Sequence, residues 1–398
     1  METDVSRPQF EMPANPIEFE GVSAFYCDHN ATSPMPSLLL NSLKKAYSEH
    51  WVNLSAPYDT AKNEAVWVRK LRSQFAGLSG DRNADVVFCA SSTEAINQAI
   101  FSFSNSLGPS GEIIISDTEH SSVRLAASKW FEGRISVISS KRIIGRDWDE
   151  LLAVCRTKEN IVLFVQAANN ETGVLLPIQE LREQLPTNVR LFLDASQIVG
   201  KCDEFWEQLA EADGAVISPH KFYGPKGVGV LMWKKSAGAL VPLIFGGGQE
   251  NALRSGTENV PALFLTQQWI EALPALMEHF SKVSAFSKAF EKRLIGLMPS
   301  AFVVGGNIPR LGNTSAIAFS GVTSEGVIAA LDASGIMASS GSACASGTQE
   351  PSRSYLAMGL SWEQARSVVR FSFGIPNLRS SPTELANRVD GIVKRLGT

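Results

Sequence analysis

Five short apolar runs, each ending at a polar turn and followed by a helical stretch, narrow the folds open to this chain to a few. The runs are ADVVFCA (84–90), GEIIIS (111–116), IVLFVQAA (161–168), VRLFLDA (189–195) and ADGAVIS (212–218). Strand, polar turn, helix, strand is the rhythm of a mostly parallel sheet with helices on both faces. In such a sheet, ligands bind beyond the carboxyl ends of the strands. After Gly256 the pattern changes. The stretch from Thr257 to Met298 reads as one or two long amphipathic helices. Strand-like AFVVGG and TSAIAFS, a helical SEGVIAALDAS and a last strand VVRFSFG follow. The fold class expected is α/β, with residues 35–270 as a large domain. Residues 1–34 and 271–398 would form a smaller α/β domain, which carries a loop at about 338–352.

Charge and cysteine usage remove several function classes. The net charge of −4 offers no basic field to hold nucleic acid or an anionic membrane. No run of 18 apolar residues suggests a transmembrane helix. The N-terminal METDVSRPQFEMPANPIEFEG has no apolar core of a signal peptide and reads as a polar tail. The five cysteines (27, 89, 155, 202 and 344) are scattered, with no CxxC pair. That argues against a disulfide framework and against a metal site, and for a reducing cytoplasm.

The turns after the strands collect polar side chains. In SSTEA, Ser91 and Glu94 have the spacing of a capping box. The free N–H groups there, with the hydroxyls of Ser92 and Thr93, would also take an anion. Asp194 ends an apolar strand and could cap the next helix or pair with a protonated ring nitrogen. Lys221, in SPHKFYGPKG, could be a solvated surface charge. It follows a buried-looking strand, however, and a pocketed lysine can form a Schiff base. Lys226 could supply fixed positive charge nearby. His120 follows a strand and opens a helix, where its ring could lie over the strand ends. A phosphate cradle, an acid for a pyridinium, a Schiff-base lysine and a stacking ring are together what pyridoxal 5'-phosphate requires of a protein.

Cys344 lies in ASSGSACASGTQEPS (338–352), among small and hydroxylated residues rather than in an apolar helix or strand. That segment, with YCDHNATSP, SSTEAINQAI, TEH, NNETGV, DASQIVGK, SPHKFYGPKGVG, GGGQENALRSGTENV and RFSFG, resembles the NifS/IscS-type cysteine desulfurases of the class V aminotransferase group. The segments come in the family's order and span residues 26–374. The resemblance implies the fold of type I pyridoxal phosphate-dependent transferases. It implies that Lys221 carries the cofactor, Asp194 pairs with the pyridine nitrogen, and His120 stacks on the ring. Asn170 and Gln197 would lie near the ring hydroxyl. Ser92, Thr93, Ser218 and His220 would hold the phosphate, joined by Thr257 from a neighbouring subunit in a homodimer with shared sites. Arg370 would grip the substrate carboxylate, with Asn170 beside it. Cys344, on a long loop expected to be mobile, would take sulfur from L-cysteine as a persulfide, release L-alanine, and hand the sulfur to an acceptor protein.

Two stretches depart from the family pattern. VNLSAPYDTAK keeps Asn53 but lacks the proline and histidine of the entrance motif. Asn251 and Ala252 stand where a basic residue and a glycine are usual. A selenocysteine lyase, another class V enzyme, or an inactive scaffold of the same fold are the alternatives. Iron–sulfur cluster assembly, tRNA thiolation and DNA backbone modification would all begin with the same step, so the destination of the sulfur stays open.

Overall fold

A computed structural model describes residues 17–341 and 350–397, so Cys344 lies outside the described residues. The large sheet contains β1 (Asp85–Cys89), β2 (Glu112–Ser116), β3 (Ile135–Ile138), β4 (Ile161–Gln166), β5 (Val189–Asp194), β6 (Gly214–Ile217) and β7 (Gly229–Trp233). Their order across the sheet is β1-β7-β6-β5-β4-β2-β3. Only β7 runs against its neighbours, and it pairs antiparallel with both β1 and β6. The ends of β1, β2, β4, β5 and β6 therefore open on one rim.

Side chains alternate across a strand, so an unbroken apolar run must be covered on both faces. In β4, Val162 and Phe164 join a cluster with Ile96, Ile100 and Phe103 of the helix Ser92–Ser106. Ile161, Leu163 and Val165 join the opposite core, with Leu71 and Phe75 of the helix Asp59–Leu78 and with Phe205. The doubly covered parallel sheet expected from the strand rhythm is the architecture found.

The second sheet is antiparallel, in the order β10-β11-β9-β8, with β8 (Phe302–Val303), β9 (Thr314–Ala318), β10 (Ser339–Ser340) and β11 (Val368–Ser372). Residues near the N-terminus join it through bridges of Tyr26 to Met337 and Asp28 to Ser372. The stretch after Gly256 forms two helices, Val260–Glu278 and Phe280–Leu297. Position 270 falls within the first, which packs on the helix Leu43–Glu49. The second packs on the C-terminal helix Pro382–Leu396.

Candidate active site

The rim is where the chain spends its special geometry. Ser91 caps the helix Ser92–Ser106 by accepting from the Glu94 N–H at 3.2 Å. The Glu94 carboxylate accepts from the Ala90 N–H at 3.0 Å. Arg254 Nε holds the other Glu94 oxygen at 2.8 Å. This helix start lies so close to β7 that a Cβ on Gly229 would overlap the Ser91 carbonyl and the Ser92 nitrogen; only glycine fits there.

After β6 the chain makes a tight turn, Pro219–Phe222, which carries Lys221. The Lys221 N–H donates to the Ser218 carbonyl at 3.1 Å. Ser33 holds the turn from the other side: its N–H donates to the His220 carbonyl at 2.8 Å and its hydroxyl to the Lys221 carbonyl at 3.3 Å. Tyr223 ends the turn in the left-handed region, at φ 68°. That is strained for an aromatic residue. The Tyr223 hydroxyl accepts from the Ile375 N–H at 2.7 Å, tying the strained residue to the smaller lobe. The charge of Lys221 acts on Asp28, His120, Lys201 and His220. His220 Nδ1 lies 3.1 Å from Thr32 Oγ1. Burial, and then the neighbouring lysines, push its pKa down to about 4, so it is neutral near pH 7. Ser218 Oγ is buried and has no partner among the described residues, as suits a hydroxyl aimed at a ligand.

Asp194 closes β5 and is buried, its Oδ1 accepting from the Ser196 N–H at 3.0 Å. His120 caps the helix Ser121–Trp130, with Nδ1 accepting from the Ser122 N–H at 3.2 Å. Burial lowers the His120 pKa against the pull of the Asp194 charge. Beside it sits a carboxyl that sequence reasoning passed over. Glu119 is buried; Oε1 accepts from the Ser116 hydroxyl and from the Gln166 N–H at 3.1 Å. Burial, with a smaller push from Asp194, raises its pKa to about 8.

Arg370 comes from β11 and is 2 % exposed. Its Nη2 binds Asp28 Oδ1 at 2.6 Å and its Nη1 donates to the Asn170 carbonyl at 3.0 Å. Arg370 Nε has no acceptor among the described residues. Gln197 points its Nε2 at the Asn30 carbonyl, 3.0 Å away, and its Oε1 accepts from Lys201 Nζ at 3.0 Å. Lys201 also donates to Asn30 Oδ1 at 3.1 Å. Burial above all, then the charges of Lys221 and Arg370, hold Lys201 well below the usual lysine range. Asn30, Lys201, Asp28 and Glu119 all lie inside motifs that are legible in the sequence. Nothing in their spacing marks them, because their partners are far away in the chain.

Ser92, His120, Asp194, Ser218, His220 and Lys221 thus lie at the rim of the large sheet, with Asn170 and Gln197 in the turns after β4 and β5 and Arg370 on β11 of the second sheet. Thr257 does not join them: it is exposed, in the loop before the helix Val260–Glu278. Thr93 is exposed at the helix start.

Comparison with known proteins bears on this site. Residues 25–381 match the family described as aminotransferase class-V. A cysteine desulfurase of Sinorhizobium fredii is 31 % identical over 93 % of the chain and 97 % of that protein. A cysteine desulfurase IscS 1 of Archaeoglobus fulgidus is 28 % identical, over 93 % and 97 %. Among solved structures, a NifS-like protein of Rickettsia africae superposes with a TM-score of 0.78 at 25 % identity, covering 94 % of this chain and 99 % of that one.

Proposed function

The chain belongs to the class-V aminotransferase family, and we infer that it works as a pyridoxal phosphate-dependent cysteine desulfurase. The observation that carries this reading is the grouping of Lys221, Asp194 and His120 at the strand ends, with Arg370 facing them from the second sheet. The donors fit the cofactor. The buried Ser218 hydroxyl without a partner, the neutral His220 and the free N–H groups at Ser92 and Thr93 suit a phosphate. Asp194 suits a protonated pyridine nitrogen, and Lys221 Nζ is the covalent attachment point.

When bound, the cofactor supplies an electron sink for the bonds at the α- and β-carbons of the substrate. Arg370 holds the carboxylate of L-cysteine through its planar fork, to which Nε adds an unused donor. The Asn170 carbonyl and Asp28 fix the direction of that fork. Lys221 Nζ would serve as the base that takes the α-proton of the bound substrate. His120 covers the ring face. The Cys344 thiolate would form a bond to the substrate sulfur as the carbon–sulfur bond breaks, the electron pair of that bond passing to the sink; return of protons to the α- and β-carbons would give L-alanine and leave a persulfide on Cys344.

The remaining cysteines do not compete. Cys27, Cys89, Cys155 and Cys202 are buried free thiols, and burial pushes Cys155 up to about 11 and Cys202 to about 12. The four free cysteines among the described residues suit a reducing compartment, which supports a cytoplasmic location. Among the described residues no helix is long and apolar enough to cross a membrane. A homodimer with shared sites accords with the exposure of Thr257, which leaves its side chain open to a neighbouring subunit. The sulfur then passes to an acceptor protein.

The test is to treat the purified protein with L-cysteine, quench, and assay alanine and the mass of the Cys344 peptide. One alanine per site and the gain of one sulfur atom are expected. Cys344→Ser should still bind L-cysteine, seen in the cofactor absorbance, and should form no persulfide. Sulfide release by Cys344→Ser at the full rate would rule out the assigned role of this thiol.

A further inference from the structure

We infer that Glu171 is a positioning residue for the sulfur-transfer step, because its carboxylate bonds the stem after Cys344 and packs against the stem before it. This rests on the reading of Cys344 given above and deepens it.

Glu171 belongs to the turn after β4. The Asn169 side chain fixes that turn, Oδ1 accepting from the N–H groups of Glu171 at 3.0 Å and Thr172 at 2.8 Å. The Glu171 side chain is buried and points towards the smaller lobe. The stem before Cys344 leaves β10, which pairs with β11 in a register that sets Ser339 opposite Arg370. The next described residue, Gly341, presses against Glu171. A Cβ there would overlap Glu171 Oε2 and come within 2.6 Å of the Tyr355 ring. The stem after Cys344 enters the helix Arg353–Ala357, which Ser352 caps by accepting from the Ser354 N–H at 3.1 Å. The Ser354 hydroxyl donates to Glu171 Oε1 at 3.1 Å and accepts from Asn169 Nδ2 at 3.2 Å.

So the two stems meet on a single side chain of the large lobe, next to the arginine assigned to the substrate. Burial raises the Glu171 pKa, while the Ser352 and Ser354 hydroxyls and the charge of Arg370 oppose the rise. A carboxylate is a costly way to fill a buried space, and an apolar side chain would pack there at no such cost. Oε1 is taken by Ser354, and Oε2, buried and without a hydrogen-bond partner among the described residues, abuts Gly341, so setting the spacing of the two stems is the role the placement supports. Only three peptide units separate Gly341 from Cys344, and the place of Gly341 therefore bounds the reach of the thiol. Cofactor attachment and capture of L-cysteine use Lys221, Asp194 and Arg370, whereas the Glu171 carboxylate accepts its hydrogen bond from Ser354 on the stem.

The experiment compares two steps in the cofactor-loaded enzyme. Stopped-flow absorbance reads capture of L-cysteine, and quenched mass spectrometry reads single-turnover persulfide on Cys344. In Glu171→Ala, capture should stay within about threefold of the parent. Persulfide formation should slow by roughly 30- to 100-fold, the cost of misplacing a reacting group by about 1 Å. Glu171→Gln should recover part of that loss, because its amide oxygen still accepts from Ser354. Gly341→Ala, which forces the stem away from Glu171, should show the same split at about tenfold. Ser354→Ala, a milder change, keeps the split measurable should Glu171→Ala fail to fold. Persulfide formation at the parent rate in Glu171→Ala and Gly341→Ala, or equal losses in both steps, would overturn the proposal. If the parent enzyme itself forms no persulfide on Cys344, the functional reading beneath it has failed instead.

Discussion

The two sides of the pocket are assembled in opposite ways. On the cofactor side, Ser92, His120, Asp194 and Ser218 each sit at or just after the end of a strand in one sheet, and Lys221 lies in the turn that follows. Their local bonds run mostly to neighbours in the chain: Ser91 to Glu94, His120 to Ser122, Asp194 to Ser196, Ser218 to Lys221. On the substrate side nearly every bond joins distant segments. Asp28 meets Arg370, Asn170 meets Arg370, and Asn169 and Glu171 meet Ser354. The first side is built mostly when the large sheet folds, with Ser33 and Ile375 bracing the Lys221 turn from outside. The second exists only when the smaller lobe and the N-terminal segment are docked. Cofactor capture and sulfur chemistry should therefore be separable by mutation, and the predictions below test that separation.

The largest effect is expected on the cofactor side. Lys221→Ala removes the side chain proposed as both covalent attachment point and base. Turnover of L-cysteine should fall about 10³- to 10⁴-fold, in the upper range of general acid–base effects. The absorbance band of the attached cofactor should disappear as well. A variant that kept the band and stayed within tenfold of the parent rate would mean that this side is not built around Lys221.

A smaller and different loss is expected across the cleft. Arg370→Lys keeps a positive charge but loses the planar fork that Asp28 and Asn170 orient. The KM for L-cysteine should rise roughly 10- to 100-fold, the value of one or two charge-assisted hydrogen bonds. The resting absorbance spectrum should stay as in the parent. A changed resting spectrum would show that the two sides are not independent.

This difference also explains what could be read in the chain beforehand. Strand tips were legible because a polar residue that ends an apolar run is a local event, visible at Asp194 and Ser218 alike. Lys221 was legible by its place after β6 and before a glycine-rich return. Lys201 was not, although it is as buried as any residue of the site. It has no carboxylate partner among the described residues; the oxygens that receive it belong to Gln197, in the same turn, and to Asn30, 171 positions away in the chain. Asp28 and Glu171 are hidden for the same reason, since each finds its partner more than 180 positions away. The double cover of the sheet followed from unbroken apolar runs. The meeting of two lobes on a few side chains followed from nothing local.

The mildest effect concerns a proton that the cofactor side holds out of sight. Burial, helped by the charge of Asp194, raises Glu119 from 4.5 to about 8, so the folded protein keeps this carboxyl neutral through pH 7. The unfolded chain releases the same proton near pH 4.3. Between these values the folded state binds one proton more, so this group's contribution is complete below about pH 4.3 and is lost as pH rises towards 8. Glu119→Gln cannot ionise, and its amide oxygen can still accept from Ser116 and from the Gln166 N–H. The cofactor-free variant should thus show a flatter loss of stability between pH 5 and 8. By pH 9 it should exceed the parent by on the order of a few kcal/mol, as read from denaturant titrations at each pH. Turnover should change by less than about threefold, because Glu119 is assigned no contact with the substrate. Parallel stability curves for parent and variant would mean that Glu119 is ionised in the fold. Asp194 would then share its strand end with a second negative charge, and the field at the pyridine nitrogen would have to be assigned to both.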